Sequence, residues 1–204
     1  VTCPTTNPPY DYDANGNMTS GRGRTYTRNM ENKPLSITNG VTSSTGLVAA
    51  YGFNEGTGTT AADSSGTSGV ATLTNVTWTA QGKYGTGLTF NGTSSSGQIP
   101  PPATPLRFTT AMTVEVWMNA TTLPTGWHTL ISRQFGTGVQ DSWGLFTRGT
   151  NLEFYTNSTT FIAAPVTTGT WTHVAGVLDG TAVRLYVNGA LVASGTTTVP
   201  IPND

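Results

Sequence analysis

Short apolar runs alternate with polar turns along most of the chain, at the 8–12-residue spacing of a β-sandwich. Residues 47–53, Leu-Val-Ala-Ala-Tyr-Gly-Phe, read as an apolar strand closed by the polar turn at 54–58. Further strands are expected at 70–74, 87–90, 112–119, 128–133, 143–147, 152–156, 171–178, 182–187 and 191–194. Within 182–187, Val183, Leu185 and Val187 share one face while Arg184 and Tyr186 share the other. That alternation marks a half-buried antiparallel strand. Asp179-Gly180 and Asn188-Gly189 stand between apolar runs and read as two-residue hairpin turns that call for positive φ.

Residues 1–45 have a different pattern. In Tyr10-Asp11-Tyr12-Asp13-Ala14-Asn15-Gly16-Asn17-Met18, aromatic residues alternate with Asp before an Asn-Gly turn, which is a hairpin signal. A second extended pattern covers 24–28 and 33–38. The tract 41–46 reads as a linker. The expected organisation is an extended N-terminal arm at 1–45 and a β-sandwich at 46–204.

Composition supports an all-β class. Thr makes up about a fifth of the chain and Gly contributes 25 residues, while charged residues are only 9%. Thr favours strands and Gly favours turns. With 9 basic and 10 acidic residues the net charge is −1. Binding to nucleic acid or anionic lipid through bulk charge is therefore excluded. No apolar run is long enough for a membrane span. The single cysteine, Cys3, has no internal partner and reads as an unpaired thiol near a flexible end, with intermolecular pairing or lipidation as alternatives. A chain that starts at Val1 reads as a processed product or a fragment. Low charge with abundant Thr, Gly and Asn suits an extracellular or cell-surface protein, most simply a prokaryotic one.

The arm resembles an Rhs/YD repeat through Tyr12, Asp13, Asn15, Gly16 and Asn17. That resemblance implies a hairpin that needs neighbours to close a core. From residue 47 onward the chain resembles laminin-G-like, concanavalin-A-type jelly-roll modules. The blocks that carry this are Ala50–Gly58, Asp63-Ser64-Ser65-Gly66, Gly82–Gly92, Met112–Trp117, and Trp171-Thr172-His173-Val174-Ala175 running on to Arg184–Gly189. The resemblance implies an antiparallel two-sheet sandwich, usually non-catalytic and extracellular. The resemblance also implies further closing strands after Asn188-Gly189, and the sequence to Asp204 is expected to lack them. A sandwich without them exposes an edge that a donated strand could fill.

Candidate chemistry is sparse. Glycan cleavage on this fold needs two carboxylates close together, and Glu115, Asp141 and Glu153 each lack an acidic neighbour in sequence. Neither His128 nor His173 sits in a nucleophile motif, and zinc lacks ligands. An enzyme is therefore not expected, and no cofactor is required. A structural calcium is the one ion expected as an option, at Asp63 with Asn91 as a second ligand, because calcium takes carboxylate and amide oxygens. The alternative is that Asp63 caps its own turn. Sugar binding needs exposed aromatic platforms. Trp127 and Trp143, each preceded by a polar loop, are the candidates, Trp127 the better one, with Tyr155 beside it; packing at a sheet edge is the alternative reading of the same residues. Trp117 and Trp171, inside apolar strands, are expected in the core. The Asn-x-Ser/Thr triplets at Asn17, Asn75, Asn91, Asn119 and Asn157 matter only if the source glycosylates them.

Two functions are expected. One is a structural subunit of a homo-oligomer or filament, assembled by strand complementation through arm residues Tyr10, Tyr12, Tyr26, Leu35 and Ile37. The other is a monomeric lectin-like adhesion module, cut from a larger Rhs-repeat surface protein, that takes a polysaccharide.

Overall fold

The computed structural model describes residues 46–99, 106, 108, 110–135, 140–157 and 160–197, together with the backbone of four strands between 11 and 39. The chain divides into two compact units, Val1–Leu47 and Val48–Asp204. In the first unit, β1 (Asp11–Tyr12), β2 (Met18–Gly21), β3 (Arg24–Arg28) and β4 (Pro34–Asn39) form an antiparallel meander in that order. The turn expected at Asn15-Gly16 lies outside the described residues. Register places Tyr26 opposite Ile37, on β3 and β4. Tyr10 lies outside the described residues, as does Cys3.

The second unit is a sandwich of two four-stranded antiparallel sheets with smaller sheets beside them. The smaller sheets hold β5 (Thr60–Ala61), β6 (Ala71–Thr74), β7 (Thr77–Gly82), β8 (Gly85–Thr89) and β9 (Ser96–Gln98). The main strands are β10 (Ala111–Met118), β11 (Trp127–Phe135), β12 (Gln140–Arg148), β13 (Asn151–Tyr155), β14 (Phe161–Pro165), β15 (Thr172–Asp179), β16 (Ala182–Val187) and β17 (Ala190–Thr196). One sheet runs β10-β15-β16-β17 and the other β11-β12-β13-β14.

Alternation decides which side chains meet between the sheets. Met112, Val114, Met118, Val174, Leu178, Val183 and Leu185 face Leu145, Leu152, Phe154 and Ala164 in one core. The contact is close: a Cβ on Gly176 of β15 would lie 2.5 Å from the ring of Phe154 on β13. Glycine is needed there because the ring occupies the space a side chain would take. The turn expected at Asn188-Gly189 forms there, whereas the one expected at Asp179-Gly180 falls one residue later, on Gly180-Thr181, because Asp179 still pairs with Ala182. Gly180 adopts φ 60°, and Asn188 and Gly189 adopt φ 50° and 81°, the doubly left-handed pair of a type I′ turn.

The strand expected at 47–53 does not form. Only Tyr51 bridges, to Asp63. The Ala50 N–H instead donates to the Asp63 carboxylate at 2.8 Å, and the Ala50 carbonyl accepts from the Ser64 N–H at 2.8 Å. A side-chain carboxylate has taken the place of a ladder partner, and Phe53 at φ 51° ends the extended run. The expected lack of closing strands concerns the chain beyond Thr197, which lies outside the described residues.

Candidate functional site

The strands of the β11-β12-β13-β14 sheet place every second side chain on the face away from the core. On that outer face stand Trp127 at the start of β11, Phe146 and Arg148 on β12, Glu153 and Tyr155 on β13, and Phe161 on β14. Register brings them together. Trp127 lies opposite Arg148, Phe146 opposite Glu153, and Tyr155 opposite Phe161. The turn at 149–150 between β12 and β13 sets this alignment, with Gly149 at φ 57°.

Four rings are in contact. Tyr155 stacks on Phe161 at 4.7 Å between centroids and 16° between planes. It meets Phe146 edge-on at 5.5 Å and Trp127 at 6.0 Å. Gly144 makes room for this cluster, since a Cβ there would lie 2.5 Å from the Phe146 ring. The Arg148 guanidinium sits between the outer two rings, 5.6 Å from the centroid of Trp127 and 5.9 Å from that of Phe161. Trp127 is 63% exposed and Phe161 is also exposed, so the cluster presents aromatic surface to solvent.

Beneath the rings is a fully buried carboxylate, Glu153. Arg148 holds one of its oxygens through Nε at 2.9 Å and through a terminal nitrogen at 2.8 Å. The Tyr155 hydroxyl donates to its other oxygen at 3.0 Å. Burial, reinforced by this hydrogen bond and by the negative charge of Glu153, pushes the Tyr155 hydroxyl up to about 12. Glu153 therefore fixes both Arg148 and Tyr155. Guanidinium carries five N–H donors, and Glu153 uses only part of that fork. The remainder lies next to two exposed ring faces. Flat apolar surface beside fixed N–H donors is an arrangement that holds a sugar, with C–H faces on the rings and hydroxyls on the donors.

The residues expected from sequence divide. Trp127 and Tyr155 come together, Tyr155 as the buried support under the exposed Trp127. Trp143 does not join them. Its parity on β12 is that of Leu145, so it is 3% exposed in the core, with its indole donating to the Leu106 carbonyl at 3.2 Å. It offers no face to a ligand. Trp117 corrects a second expectation, since it shares the outer face of β10 with Glu115. Arg148 and Phe161 were not singled out from sequence. The signal that could have found Arg148 is the two-residue turn at 149–150, which sets Phe146 against Glu153 and Arg148 against Asn151 on one face of a hairpin; Phe161, a strand further on, has no such local signal.

Asp63 and Asn91 behave as turn caps. The Asp63 carboxylate accepts from the N–H groups of Ala50, Ser65, Thr67 and Ser68 and from the Ser65 hydroxyl, at 2.7–3.0 Å. Burial pushes its pKa up, but these hydrogen bonds outweigh burial and hold it well below the usual carboxylate range. A carboxylate has about four lone-pair sites, and five donors already fill them. Asn91 Oδ1 likewise accepts from the N–H groups of Thr93, Ser94 and Ser95 at 2.8–3.1 Å. Among the described residues, no three of His, Cys, Asp and Glu gather together. These donor sets fit turn capping and do not fit calcium.

Two packed antiparallel sheets, one of them with an aromatic outer face, define a jelly-roll-type β-sandwich module. The laminin-G-type family model of the concanavalin A-like lectin/glucanases superfamily matches residues 91–204, and the chain belongs to that family. Among solved structures it is similar to domain 4 of AbnA, a GH43 extracellular arabinanase from Geobacillus stearothermophilus, in complex with arabinotriose. Identity is 24%, the TM-score is 0.60, and the match covers 76% of this chain and 78% of that one. It also resembles residues 221–444 of an S-layer domain-containing protein from Clostridium thermocellum, at 22% identity and a TM-score of 0.45, over 72% and 71% of the two chains. No curated protein matches the chain. At these identities the structural likeness concerns the fold. No helix among the described residues is long and apolar enough to cross a membrane.

Proposed function

We propose that the sandwich is a non-catalytic, extracellular carbohydrate-binding module and that Trp127, Arg148 and Phe161 hold the glycan. The observation that carries this reading is the exposed pair of rings flanking an Arg that Glu153 fixes from below. Family membership supports it, as does a neighbour of the same fold whose structure contains arabinotriose. The extracellular setting draws on the low charge of the chain and on the extracellular origin of that neighbour; a prokaryotic source is part of the same proposal. Both oxygens of Glu153 are engaged by Arg148 and Tyr155, so it serves as a positioning group and is not poised for acid–base work.

The test is affinity electrophoresis of the full chain through gels that contain neutral polysaccharides, arabinan among them. Removing a central aromatic anchor costs roughly 2 kcal/mol, or about thirtyfold in affinity. Trp127→Ala should therefore lose its retardation while its intrinsic fluorescence still reports a folded sandwich. Retardation equal to wild type in Trp127→Ala and in Phe161→Ala would remove the platform from the account.

A second reading concerns the N-terminal unit, which pairs its strands among themselves and ends on the six-residue strand β4. An edge strand of that length is a template for pairing with another chain. Assembly into a homo-oligomer or filament, as one piece of a hairpin-repeat array, would use this edge and residues such as Leu35 and Ile37. Light scattering on the full chain and on a chain lacking 1–45 tests it. Monomers in both cases would end that reading.

A further inference from the structure

A second cluster of rings lies on the opposite side of the sandwich. The β10-β15-β16-β17 sheet turns Glu115 and Trp117 of β10 and His173 of β15 away from the core, with Trp117 paired opposite His173. The tip between β7 and β8 folds Lys83 and Tyr84 over them. Tyr84 meets Trp117 edge-on at 5.7 Å, and His173 lies 5.1 Å from Trp117 on the other flank. The Lys83 ammonium stands 4.4 Å from the centre of the Trp117 ring and 5.6 Å from that of Tyr84. Glu115, largely exposed, has an oxygen 3.6 Å from His173 Nε2.

Two features set this cluster apart from ordinary surface. Tyr84 is 71% exposed at a hairpin tip, more than Trp127 on the other sheet. Lys83 pairs with no carboxylate among the described residues, although the chain is nearly neutral overall. Its ring contacts are with the faces of Trp117 and Tyr84. A ligand that brings its own carboxylate would add an ion pair to that fixed ammonium without displacing one. The rings beside it supply flat apolar surface, and Glu115 and His173 supply polar groups for hydroxyls.

We propose that Lys83, Tyr84 and Trp117 form a second glycan-binding face, selective for acidic polysaccharides that carry uronate carboxylates. The assignment rests on the carbohydrate-binding reading for its ligand class. Its residues are wholly distinct from those around Trp127. Because the core lies between the sheets, the two faces look in opposite directions, and one module would bridge two glycan chains.

The experiment uses the full chain with polygalacturonate as the acidic probe and arabinan as the neutral one, in affinity electrophoresis. Lys83→Ala should weaken polygalacturonate binding about fivefold, the size of one exposed ion pair. Tyr84→Ala should weaken it about tenfold, within the range for an aromatic contact. Lys83→Arg should keep most of it, which separates a charge role from damage to the hairpin. Trp127→Ala should leave polygalacturonate binding unchanged. No retardation of the wild-type chain by polygalacturonate overturns the proposal, as does wild-type retardation of Lys83→Ala and Tyr84→Ala. Loss of both probes in Trp127→Ala would also overturn it, by assigning both glycans to the first face. Loss of arabinan binding alone in Trp127→Ala confirms the first face independently.

Discussion

Replacing Arg148 should cost more stability than neutralising the carboxylate it holds. Glu153 is fully buried, whereas the Arg148 side chain is 44% exposed. Arg148→Met keeps much of the aliphatic stem but leaves a buried carboxylate with the Tyr155 hydroxyl as its remaining donor. Stripping one partner from a buried pair costs about 3–5 kcal/mol. Solvent on the outer side of Arg148 screens part of that, so about 2–3 kcal/mol is expected. Glu153→Gln keeps the shape and two acceptor–donor contacts, and it frees an Arg that can turn to water; about 1 kcal/mol is expected. The double variant Arg148→Met with Glu153→Leu removes both charges and should recover most of the loss. All five Trp lie in the sandwich unit, so urea unfolding monitored by Trp fluorescence reports on it alone. With about 2–4 °C per kcal/mol for a unit of this size, Arg148→Met should melt about 4–12 °C lower. Arg148→Met no less stable than Glu153→Gln, or a double variant worse than Arg148→Met, would refute the view that a buried charge is being neutralised there.

The same structure sets other outcomes. Gly176→Ala drives a methyl into the Phe154 ring and should destabilise by about 1–3 kcal/mol, read by the same urea curves; a neutral result would contradict the close sheet-to-sheet contact. The Asp63 carboxyl has its pKa depressed in the fold, so its stabilising effect is present above the unfolded value near 4 and is lost as pH falls through the lower folded value. Asp63→Ala should thus lower the melting temperature at pH 7 and narrow the gap to wild type in strong acid, whereas excess EDTA should leave wild-type melting unchanged; an EDTA-induced drop would restore calcium. Tyr155, raised to about 12 from an unfolded value near 10, contributes stability that is complete below pH 10 and is lost as pH rises through 12. Ultraviolet titration should show Tyr155 ionising late, and its step should vanish in Tyr155→Phe, while Tyr51, raised by burial and by the charge of Asp63, still ionises above an ordinary tyrosine.

How much could be read from sequence was set by range. The 182–187 strand was expected with its observed ends because both flanking turns are local and name their own backbone conformation. The apolar run at 47–53 looks like a strand by the same local rule, yet a strand needs a partner, and Asp63 supplies that contact from thirteen residues away. The platform was half legible. Trp127 stands out beside its loop, but Arg148 and Phe161 join it only through register across three strands. Trp143 and Trp117 depart from expectation because the parity of an aromatic residue on its strand, and not its apolar neighbours, decides which face it takes. Trp143 shares the face of Leu145, and Trp117 alternates with Val116 and Met118, so both placements were written in the period-two pattern.

The most direct test of carbohydrate recognition is an NMR titration of the 15N-labelled chain with a neutral arabino-oligosaccharide, observed at the five indole N–H signals. The Trp127 signal and the Arg148 Nε–H should shift together and saturate, while the signals of Trp143 and Trp78, whose indoles donate to Leu106 and Gly58, stay in place. No saturable shift at Trp127 with that or other neutral oligosaccharides, or a shift centred on Trp143, would contradict the assignment of the β11–β14 outer face as the binding surface.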